Sequence, residues 1–294
     1  MSNDVSKVAL ITGCSTGIGR ATARRLAKAG RRVYATARKL EAIADLEALG
    51  CRLLQLDVCD DDSIRAAVAQ VIDAEGAVGV LVNNAGYASE GPFEEVPMAE
   101  VRRQFETNVF GLIRLTQLVL PGMRAQRWGR VVNVSSMGGR LVLPGGAFYH
   151  ATKFAVEAMS DALRFEVQEF GIDVIVVEPG AIMTQFGDTA AARVDALGSE
   201  GSAYGEFRRK LAGEIRRSYA GKPDALGGVA DDVARVIQKA ITVRRPKTRY
   251  PVTLGARLFM GLRRWLPDRA FDSVLRSQIP PPAPARTPQG GSRP

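Results

Sequence analysis

Short apolar segments alternate with longer amphipathic stretches along the first 180 residues of the chain. The apolar segments predict strands at 8–11, 33–36, 53–56, 78–82, 131–134 and 174–177. Helical spacing of apolar residues predicts helices at 18–29, 40–49, 62–73, 99–120 and 147–170. Continuous Val, Ile and Leu runs are typical of strands that are covered on both faces. The repeated strand–helix order therefore predicts an α/β fold, with a doubly wound parallel sheet between two helical layers.

The pattern loosens after Pro179. Residues 184–228 are polar, with one helix predicted at 206–218, and so long an irregular segment is typical of a functional loop. A helix at 230–240, an edge strand at 247–252 and an amphipathic helix at 255–266 follow. We expect one domain at 1–254 that includes a substrate loop at 184–228. A basic amphipathic extension at 255–279 and a disordered Pro/Gly-rich tail at 280–294 complete the chain.

Composition and charge narrow the classes of function. The chain has 46% hydrophobic and 24% charged residues, which is ordinary for a globular protein. Its one histidine, His150, argues against a histidine-built metal site, and we expect no metal. Three cysteines fit reduced thiols in a cytoplasmic protein. The N-terminus lacks a secretion signal, and no apolar run is long enough to span a membrane.

The net charge of +9 is confined to one end of the chain. Residues 244–294 contain 11 Lys and Arg against 2 Asp and Glu, so the rest of the chain is balanced. A neutral body argues against nucleic-acid binding. The basic end leaves three readings open: contact with a membrane surface, contact with an acidic partner, or no contact.

Three glycines stand where the first strand turns into the first helix. Gly13 permits the tight turn, Gly17 lets the backbone approach a pyrophosphate, and Gly19 lets the helix pack on the strand. The helix N-terminus supplies amide donors for phosphates. We therefore predict a dinucleotide site here, with a purely structural turn as the alternative.

The end of the second strand indicates which dinucleotide would bind. NAD-binding sites place an acid there to hold the ribose 2′-hydroxyl, whereas this chain has Arg38 and Lys39. A guanidinium can grip a 2′-phosphate with two hydrogen bonds. The sequence therefore predicts NADP(H), and the alternative is a solvated helix start.

Tyr149 and Lys153 are four residues apart, so they share one face of a predicted helix. An ammonium group one turn away lowers the pKa of a phenol, which is otherwise about 10. A shift of about three units corresponds to about 4 kcal/mol, so we expect a positive nicotinamide ring to share this task. Ser136 follows the fifth strand and is placed to bind a substrate oxygen, with Ser135 as the alternative.

Together these motifs resemble the short-chain dehydrogenase/reductase family, especially its hydroxysteroid and retinol dehydrogenase-like members. The matches are Thr12 to Gly19, Asp57-Val58, Asn83-Asn84-Ala85-Gly86, Asn108, Ser136, Tyr149 with Lys153, and Pro179-Gly180 with Thr184. They follow the family's order across roughly residues 5 to 190. The resemblance implies a Rossmann fold and a homodimer or homotetramer.

The resemblance also implies the role of each site residue. Tyr149 is the general acid/base, and Lys153 lowers its pKa and binds the nicotinamide ribose. Ser136 polarises the substrate oxygen, and Asn108 holds a water that links Lys153 to solvent. The cofactor-binding set is Gly13, Ser15, Thr16, Gly17, Ile18, Gly19, Arg38, Asp57, Val58, Asn84, Ala85, Gly86, Tyr149, Lys153, Pro179, Gly180 and Thr184. Asn83 is expected to line the cofactor, unless it only caps its strand, and Asp57 has a helix cap as its alternative role.

The expected activity is NADP(H)-dependent interconversion of a carbonyl and an alcohol, on the CH–OH group of a lipophilic steroid-, retinoid- or lipid-like substrate. Four residues are candidates for an apolar pocket wall: Phe93, Phe148, Met183 and Phe186. A cofactor-binding regulator without turnover and a membrane-surface scaffold are the alternatives. The helix at 255–266 is a lid, a subunit contact or a peripheral membrane anchor.

Overall fold

Seven parallel strands form the central sheet of the computed structural model, which describes residues 5–198, 202–219, 226–278 and 282. Including two strands outside this sheet, the described residues form β1 (Ala9–Ile11), β2 (Val33–Ala37), β3 (Cys51–Gln55), β4 (Val80–Asn83), β5 (Gly129–Val134), β6 (Ile172–Glu178), β7 (Ile182–Met183), β8 (Gly228–Val229) and β9 (Arg249–Pro251). The sheet order is β3-β2-β1-β4-β5-β6-β9, and β7 and β8 form a separate parallel pair.

The α-helices are α1 (Gly17–Lys28), α2 (Asp61–Glu75), α3 (Met98–Phe105), α4 (Gly111–Ala125), α5 (Ala147–Val167), α6 (Gln185–Asp195), α7 (Gly205–Tyr219), α8 (Ala230–Thr242), α9 (Leu254–Trp265) and α10 (Asp268–Gln278). Three segments, Leu40–Leu49, Met137–Gly139 and Gln168–Phe170, are 3₁₀ helices, and Glu106–Phe110 is a π-helix. None of the helices in the described part of the chain is long and apolar enough to cross a bilayer.

The predicted doubly wound α/β fold is confirmed. The chain passes outward from β1 to β3 and then returns to place β4 on the other side of β1. This reversal opens a crevice at the carboxyl ends of β1 and β4, where ligands bind in folds of this kind. The two sides of β1 bury their residues in different cores, Ala9 and Ile11 in one and Val8 and Leu10 in the other.

The helix predicted at 40–49 and the third strand differ from their predictions for identifiable reasons. The segment predicted as a helix at 40–49 is a 3₁₀ helix that buries Ile43 and Leu46 completely. Residues three apart lie directly above one another in a 3₁₀ helix, so this geometry points both side chains at the core. The third strand begins at Cys51, two residues before the predicted start, because its register pairs Cys51 with Val33 at the beginning of β2.

The single helix predicted at 99–120 is divided by the π-helical turn and runs on through Pro121 to Ala125. Gly111 opens the second part, where a Cβ atom would lie 2.3 Å from the carbonyl oxygen of Val58. The helix therefore passes closer to the β3–α2 connection than any residue with a side chain allows.

Within the segment at 184–228, the described residues 184–198, 202–219 and 226–228 are more regular than their polar sequence predicts. It contains α6 and α7, and the prediction of irregular chain before residue 206 is wrong. The two helices bury Ala190 and Val194 on one side and Leu211 and Ile215 on the other in a shared cluster. Their remaining positions are polar, which is why the apolar signal is weak. The predicted role as a substrate loop is taken up below as a proposal.

The C-terminal part follows the predicted order, with one addition. β9 is the predicted edge strand and pairs only with β6 among the described strands, and α9 matches the predicted amphipathic helix. A second helix, α10, was not predicted, and it packs Phe271 and Leu275 against Leu141. The predicted disordered tail at 280–294 lies outside the described residues except for position 282.

Candidate active site

The turn between β1 and α1 has the backbone that a bound pyrophosphate requires. Gly13 and Gly17 have φ angles of +72° and +56°, which favour glycine because it lacks a Cβ atom. A Cβ atom on Gly19 would lie 2.4 Å from the carbonyl oxygen of Gly13. The three glycines thus have the conformation and close packing expected of a tight turn, and the N-terminus of α1, at Gly17, lines a groove.

Thr12 and Asn84 hold this turn against β4. The Thr12 hydroxyl accepts hydrogen bonds from the backbone N–H groups of Asn84 and Ala85, both at 2.9 Å. The Asn84 side-chain amide donates to the carbonyl oxygens of Thr12 and Gly13 at 2.9 and 3.2 Å. Asn84 thus positions the glycine turn, and Thr12 is a positioning residue absent from the predicted site set.

A groove of about 1060 Å³ runs along this turn and the first helix. Ser15, Thr16 and Gly17 line one side, and Thr184 lines the other as the N-cap of α6. A Cβ atom on Gly17 would lie 3.3 Å from the Thr184 methyl group, so the two sides nearly touch. The groove brings Thr184 to the glycine turn, while Arg38, Asp57, Tyr149 and Lys153 do not line it. Gly180 is also closely packed, because a Cβ atom there would lie 2.3 Å from the Thr253 hydroxyl oxygen.

The end of β2 presents a cation, as expected. Arg38 is exposed and forms no ion pair with any residue that the structure describes. Asp57 does not cap α2, because the cap is Asp60, whose carboxylate accepts from the N–H groups of Asp62 and Ser63. The Asp57 carboxylate instead accepts from the N–H of Cys59 at 3.0 Å. Val58 follows it in the chain and is buried.

Tyr149 lies in the first turn of α5 with only 9% of its surface exposed. Burial raises the pKa of its phenol above the ordinary value, while a hydrogen bond with the Ser136 side chain lowers it. Ser136 caps the 3₁₀ turn at Met137–Gly139 by accepting from the Gly138 N–H at 3.0 Å. The structure thus pairs Tyr149 with Ser136 rather than with Ser135, which is buried behind it.

Lys153 is buried one turn further along α5. Its ammonium nitrogen donates to the carbonyl oxygen of Val134 at 2.9 Å and lies 5.8 Å from the centre of the Tyr149 ring. Burial lowers the pKa of this lysine to about 8, and Glu157 opposes the shift. We expected Lys153 to lower the pKa of the phenol; in the structure burial outweighs that effect, and Ser136 supplies the lowering contact.

Asn108 lies in the π-helical turn, a position that sequence periodicity does not reveal. Its side chain donates to the Tyr87 carbonyl at 2.9 Å and to the Thr152 hydroxyl at 3.1 Å, and accepts from the Tyr87 N–H at 3.0 Å. Thr152 in turn donates to the Tyr149 carbonyl at 2.7 Å. π-helical turns occur often at functional sites. The wider turn here brings Asn108 against the helix that bears Tyr149.

His150 has a structural role in the segment before α5. Its Nδ1 is 3.0 Å from the Gly138 carbonyl oxygen, and its Nε2 accepts from the Leu143 N–H at 3.2 Å. Both contacts are satisfied by the neutral ring with a proton on Nδ1. Burial lowers the pKa of His150 to about 4, so the ring stays neutral and fixes the segment before α5.

Asn83 was expected to line the cofactor, and this stays a prediction. Its side chain is buried, and its amide donates to Asn133 at 2.9 Å and Thr116 at 3.2 Å. The four residues proposed as an apolar pocket wall do not all line one pocket, because Met183 lines the groove along the glycine turn. Of the four candidate residues, Phe186 is the one whose ring contacts Tyr149, at 5.8 Å between centres.

Two polar residues near Tyr149 were not among the predicted site residues. The Tyr219 ring from α7 lies beside the Phe186 ring, with 6.1 Å between centres and a tilt of 39°, and the Glu90 carboxylate raises the pKa of both tyrosines. A signal for Glu90 is visible in the sequence, because it is a carboxylate in the short segment that follows Asn84-Ala85-Gly86. Tyr219 gives no such signal.

A parallel sheet with a glycine cradle at its switch point and a Ser–Tyr–Lys set beside it defines a dinucleotide-binding protein class. Residues 7–195 match the family model described as short chain dehydrogenase. The chain belongs to the short-chain dehydrogenase/reductase family.

Two curated relatives are similar over nearly their whole length. A 3-ketodihydrosphingosine reductase of Bacteroides thetaiotaomicron is 37% identical over 273 residues, which are 92% of this chain and 97% of the relative. An NADPH-dependent 3-dehydrocapnine reductase of Ornithobacterium rhinotracheale is 32% identical over 282 residues, 93% and 97% of the two chains.

Solved structures show the same fold. A short-chain dehydrogenase from Streptomyces avermitilis superimposes with a TM-score of 0.75 at 36% identity, covering 94% of this chain and 96% of the other. The closed form of a serine dehydrogenase complexed with NADP+ superimposes with a TM-score of 0.72 at 26% identity, covering 83% and 93%.

Proposed function

We propose that this protein is an NADP(H)-dependent reductase that converts a ketone of a lipophilic, lipid-like substrate into a secondary alcohol, and that Tyr149 is its general acid. The observation on which this rests is the buried phenol of Tyr149, hydrogen-bonded by Ser136 and backed by the Lys153 ammonium, beside the glycine cradle. Such a phenol can donate a proton without exchange with bulk water.

When bound, the reduced nicotinamide supplies a hydride, and with it both electrons, to the carbonyl carbon. The protein's residues handle the proton and the geometry. The Ser136 hydroxyl donates to the carbonyl oxygen and holds it against Tyr149. Tyr149 donates its proton to that oxygen, which completes the alcohol and leaves a phenolate. Lys153 stabilises this phenolate, and because its own pKa is about 8 it can pass a proton on near neutral pH.

Two features support NADP(H) over NAD(H). Arg38 is exposed at the end of β2, and no acid stands at the predicted ribose position. A guanidinium there would pair with the 2′-phosphate. The serine dehydrogenase neighbour is an NADP+ complex, and the capnine relative is named as NADPH-dependent.

A second groove supports a lipophilic substrate. It has a volume of about 370 Å³ and lies between the segment after Glu90 and α10. Phe93, Pro144, Phe207 and Leu275 contribute its apolar lining. The two curated relatives are named for the reduction of 3-keto and 3-dehydro compounds, the first of them a sphingosine derivative. Of the steroid-, retinoid- and lipid-like classes, these observations favour a lipid-like ketone.

The direct test is NADPH oxidation by the full chain over a panel of ketones, with Tyr149→Phe as the control. We expect turnover of at least one long-chain ketone, and a loss of about 10³-fold or more in kcat for Tyr149→Phe with NADPH binding retained. NADPH binding without turnover on any compound would favour the regulatory alternative. Equal rates for the two proteins would remove Tyr149 from the mechanism.

We propose further that the protein is cytoplasmic and a homodimer or homotetramer, which rests on the family resemblance, and that residues 184–228 cover the substrate. We also propose peripheral contact between α9 and an anionic membrane. Leu258 and Trp265 are 55% and 82% exposed on this helix, and Arg257 and Arg264 flank them. Exposed apolar side chains with flanking cations are typical of an interfacial helix.

A further inference from the structure

Glu157 is a buried carboxylate on α5, one turn beyond Lys153. Glu157 and Lys153 are 5% and 6% exposed, and neither the proton transfer nor cofactor binding gives Glu157 a task. Residues four apart on a helix are neighbours on one face, with Cβ atoms about 5–6 Å apart. A carboxylate is expensive to bury unless other groups compensate its charge. The neighbours of Glu157 therefore decide whether it stays charged.

The stem of Glu157 packs against the 3₁₀ turn that Ser136 caps. A Cβ atom on Gly139, the last residue of this turn, would lie 2.9 Å from Cγ of Glu157 and 3.0 Å from the Lys153 carbonyl oxygen. The lack of a side chain at Gly139 lets the turn lie directly on α5 at these two residues. Glu157 is therefore held at the point where the Ser136 turn meets the helix that carries Lys153.

Arg249 holds the other end of the Glu157 side chain. From strand β9, its Nε donates to Oε2 of Glu157 at 3.0 Å, and one terminal nitrogen donates to Asp161, one turn further along α5, at 2.7 Å. The same Nε lies 3.6 Å from Oε1 of Glu178, the last residue of β6. The guanidinium thus joins α5, β6 and β9. A carboxylate with this partner is anchored and favoured in its charged form.

The buried negative charge exceeds what Arg249 can compensate. Glu157 and Glu178 are both buried and share its Nε, and burial together with the charge of Glu157 raises the pKa of Glu178 to about 7. Oε1 of Glu157 is buried and accepts no hydrogen bond from any residue that the structure describes. The other charged groups that the structure places around these two carboxylates are Lys153, Asp161, Arg164 and Arg140. Of these, Lys153 is the buried cation, and it lies one turn from Glu157 on the same face.

We propose that Glu157 is a positioning residue for the reduction, whose carboxylate keeps Lys153 in its ammonium form while the Tyr149 phenol gives up its proton. This inference deepens the proposed function and rests on it. The spacing along α5 favours the arrangement. At about 1.5 Å per residue, Glu157 lies about 6 Å from Lys153 and about 12 Å from Tyr149 along the helix axis. The carboxylate therefore stabilises the ammonium group more than it disfavours the phenolate.

The charge of Glu157 opposes the cost of burying Lys153. Burial lowers the pKa of Lys153 to about 8, and Glu157 acts against this shift. Without that charge the pKa would fall further, and the ammonium group would lose its proton at a lower pH. Lys153 would then neither stabilise the phenolate nor return a proton to Tyr149. The rate of reduction should therefore fall, with rising pH, at a lower pH when Glu157 is neutral.

The test is a pH profile of the rate of reduction in a single turnover, with the full chain, NADPH and a long-chain ketone. In the unmodified protein the rate should fall as the pH rises through about 8, because Lys153 loses its proton there. Glu157→Gln keeps the shape of the side chain and removes its charge, so the fall should occur about one pH unit lower. At about pH 8.5 this shift gives close to a tenfold loss, and at about pH 6 the two rates should agree.

Two further variants separate the charge of Glu157 from its shape. Glu157→Asp retains a carboxylate and should keep the fall near its position in the unmodified protein. Glu166→Gln makes the matched substitution at an exposed position of the same helix and should leave the whole profile unchanged. A Glu157→Asp profile that matches that of Glu157→Gln would overturn the inference. A loss of equal size at every pH in Glu157→Gln would also overturn it and assign Glu157 a structural role.

A titration that does not depend on turnover distinguishes this inference from the function on which it rests. The pKa of Lys153 is measured by NMR of isotope-labelled lysine side chains, with Lys153→Met to assign the signal. It should be about 8 in the unmodified protein and about one unit lower in Glu157→Gln. Equal values in the two proteins would overturn the inference and leave the ketone reductase standing. A lower value in Glu157→Gln without reduction of any ketone would support the charge coupling and overturn the reductase.

Discussion

Burial acts in the same physical sense on Tyr149 and Lys153 but moves their pKa values in opposite directions. It disfavours the charged form of each group, so the pKa of the phenol rises and that of the ammonium falls to about 8. In the isolated chain Tyr149 is therefore neutral near pH 7, whereas Lys153 is still mostly protonated there. A cation arriving in the cleft, on the cofactor or on the substrate, reverses the balance for Tyr149. The charge state of the site is thus linked to its occupancy.

Arg38 gives the sharpest prediction at this scale, because it bears on cofactor choice alone. Arg38→Asp should raise the KM for NADPH by about 10- to 100-fold, since a carboxylate repels the 2′-phosphate that the guanidinium would bind, while NADH should bind equally well or better. Steady-state kinetics with both cofactors measures this. Arg102→Asp, which makes the same charge change at an exposed position on α3, is the control. An equal loss with NADPH and NADH for Arg38→Asp would contradict the assignment.

Residue identities in the site could be predicted where the chemistry demands one residue type. Gly19, Tyr149 and Lys153 are of this kind, because no other residue satisfies the backbone approach, the phenol acid or the buried cation. Asn83 and Glu90 are different, since their tasks depend on neighbours that are distant in the chain. Asn83 bonds to a partner 50 residues later, and the charge of Glu90 raises the pKa of Tyr219, more than 100 residues later.

At the scale of elements, the most constrained position is the first turn of α1. The helix starts directly at the glycine turn, and Gly19 touches the carbonyl of Gly13 so closely that a methyl group has no room. Gly213 in α7 is the opposite case, because a Cβ atom there would meet no heavy atom within 4 Å. The same residue type therefore serves packing in one helix and only weakens the other.

These two glycines make a matched pair. Gly19→Ala should destabilise the fold by about 1–3 kcal/mol and impair NADPH binding, because the turn must shift to admit the methyl group. Gly213→Ala should stabilise it by about 0.5–1 kcal/mol, since alanine loses less backbone entropy in a helix. Thermal unfolding with and without NADPH reports both effects. A stable, tightly binding Gly19→Ala variant would show that the cradle is not as close-packed as the structure indicates.

Strands and most helices of the sheet could be predicted because buried parallel strands require continuous apolar runs. The π-helical turn at Asn108 could not, since a single turn of five residues is too short for its change in periodicity to stand out from the helix on either side. The helices α6 and α10 were missed for another reason. Each buries a narrow apolar face against a partner element, α6 on α7 and α10 on Leu141, and much of the remaining surface is polar.

At the scale of the whole molecule, the excess positive charge lies in the C-terminal part of the chain, after most of the α/β core. The sheet and its two helical layers are electrically balanced, and the basic surplus begins at Arg244, before β9. α9 then presents an exposed apolar stripe of Leu254, Leu258, Leu262 and Trp265. On a monomer this stripe is exposed to water, and a lid, a second subunit or a membrane would each cover it.

A vesicle-binding experiment distinguishes a membrane from a lid or a second subunit as the partner of this apolar stripe. The full chain should co-sediment with phosphatidylserine-containing vesicles and much less with neutral phosphatidylcholine vesicles, because cations flank the apolar stripe. Leu258→Ser combined with Trp265→Ser should abolish this binding. Reversing the charge of Arg257 and Arg264 to Glu should weaken it about 1000-fold, since each unit of charge near an anionic surface contributes about 1 kcal/mol and the two reversals change the charge by four units. These substitutions leave β9 in the sheet, whereas a truncation before it would remove an edge strand.

Membrane contact and subunit contact also predict different effects of the double variant on oligomeric mass and on kcat/KM. The Leu258→Ser, Trp265→Ser variant should keep the oligomeric mass of the unmodified protein by light scattering and its kcat/KM on a short, water-soluble ketone. Its rate should fall only for a long-chain ketone presented in anionic vesicles, where the enzyme collects substrate from the surface. A smaller oligomer would instead assign the stripe to a subunit interface, and a lower rate on the soluble ketone would assign it to a lid. Either result would overturn the membrane proposal while leaving the chemistry at Tyr149 untouched.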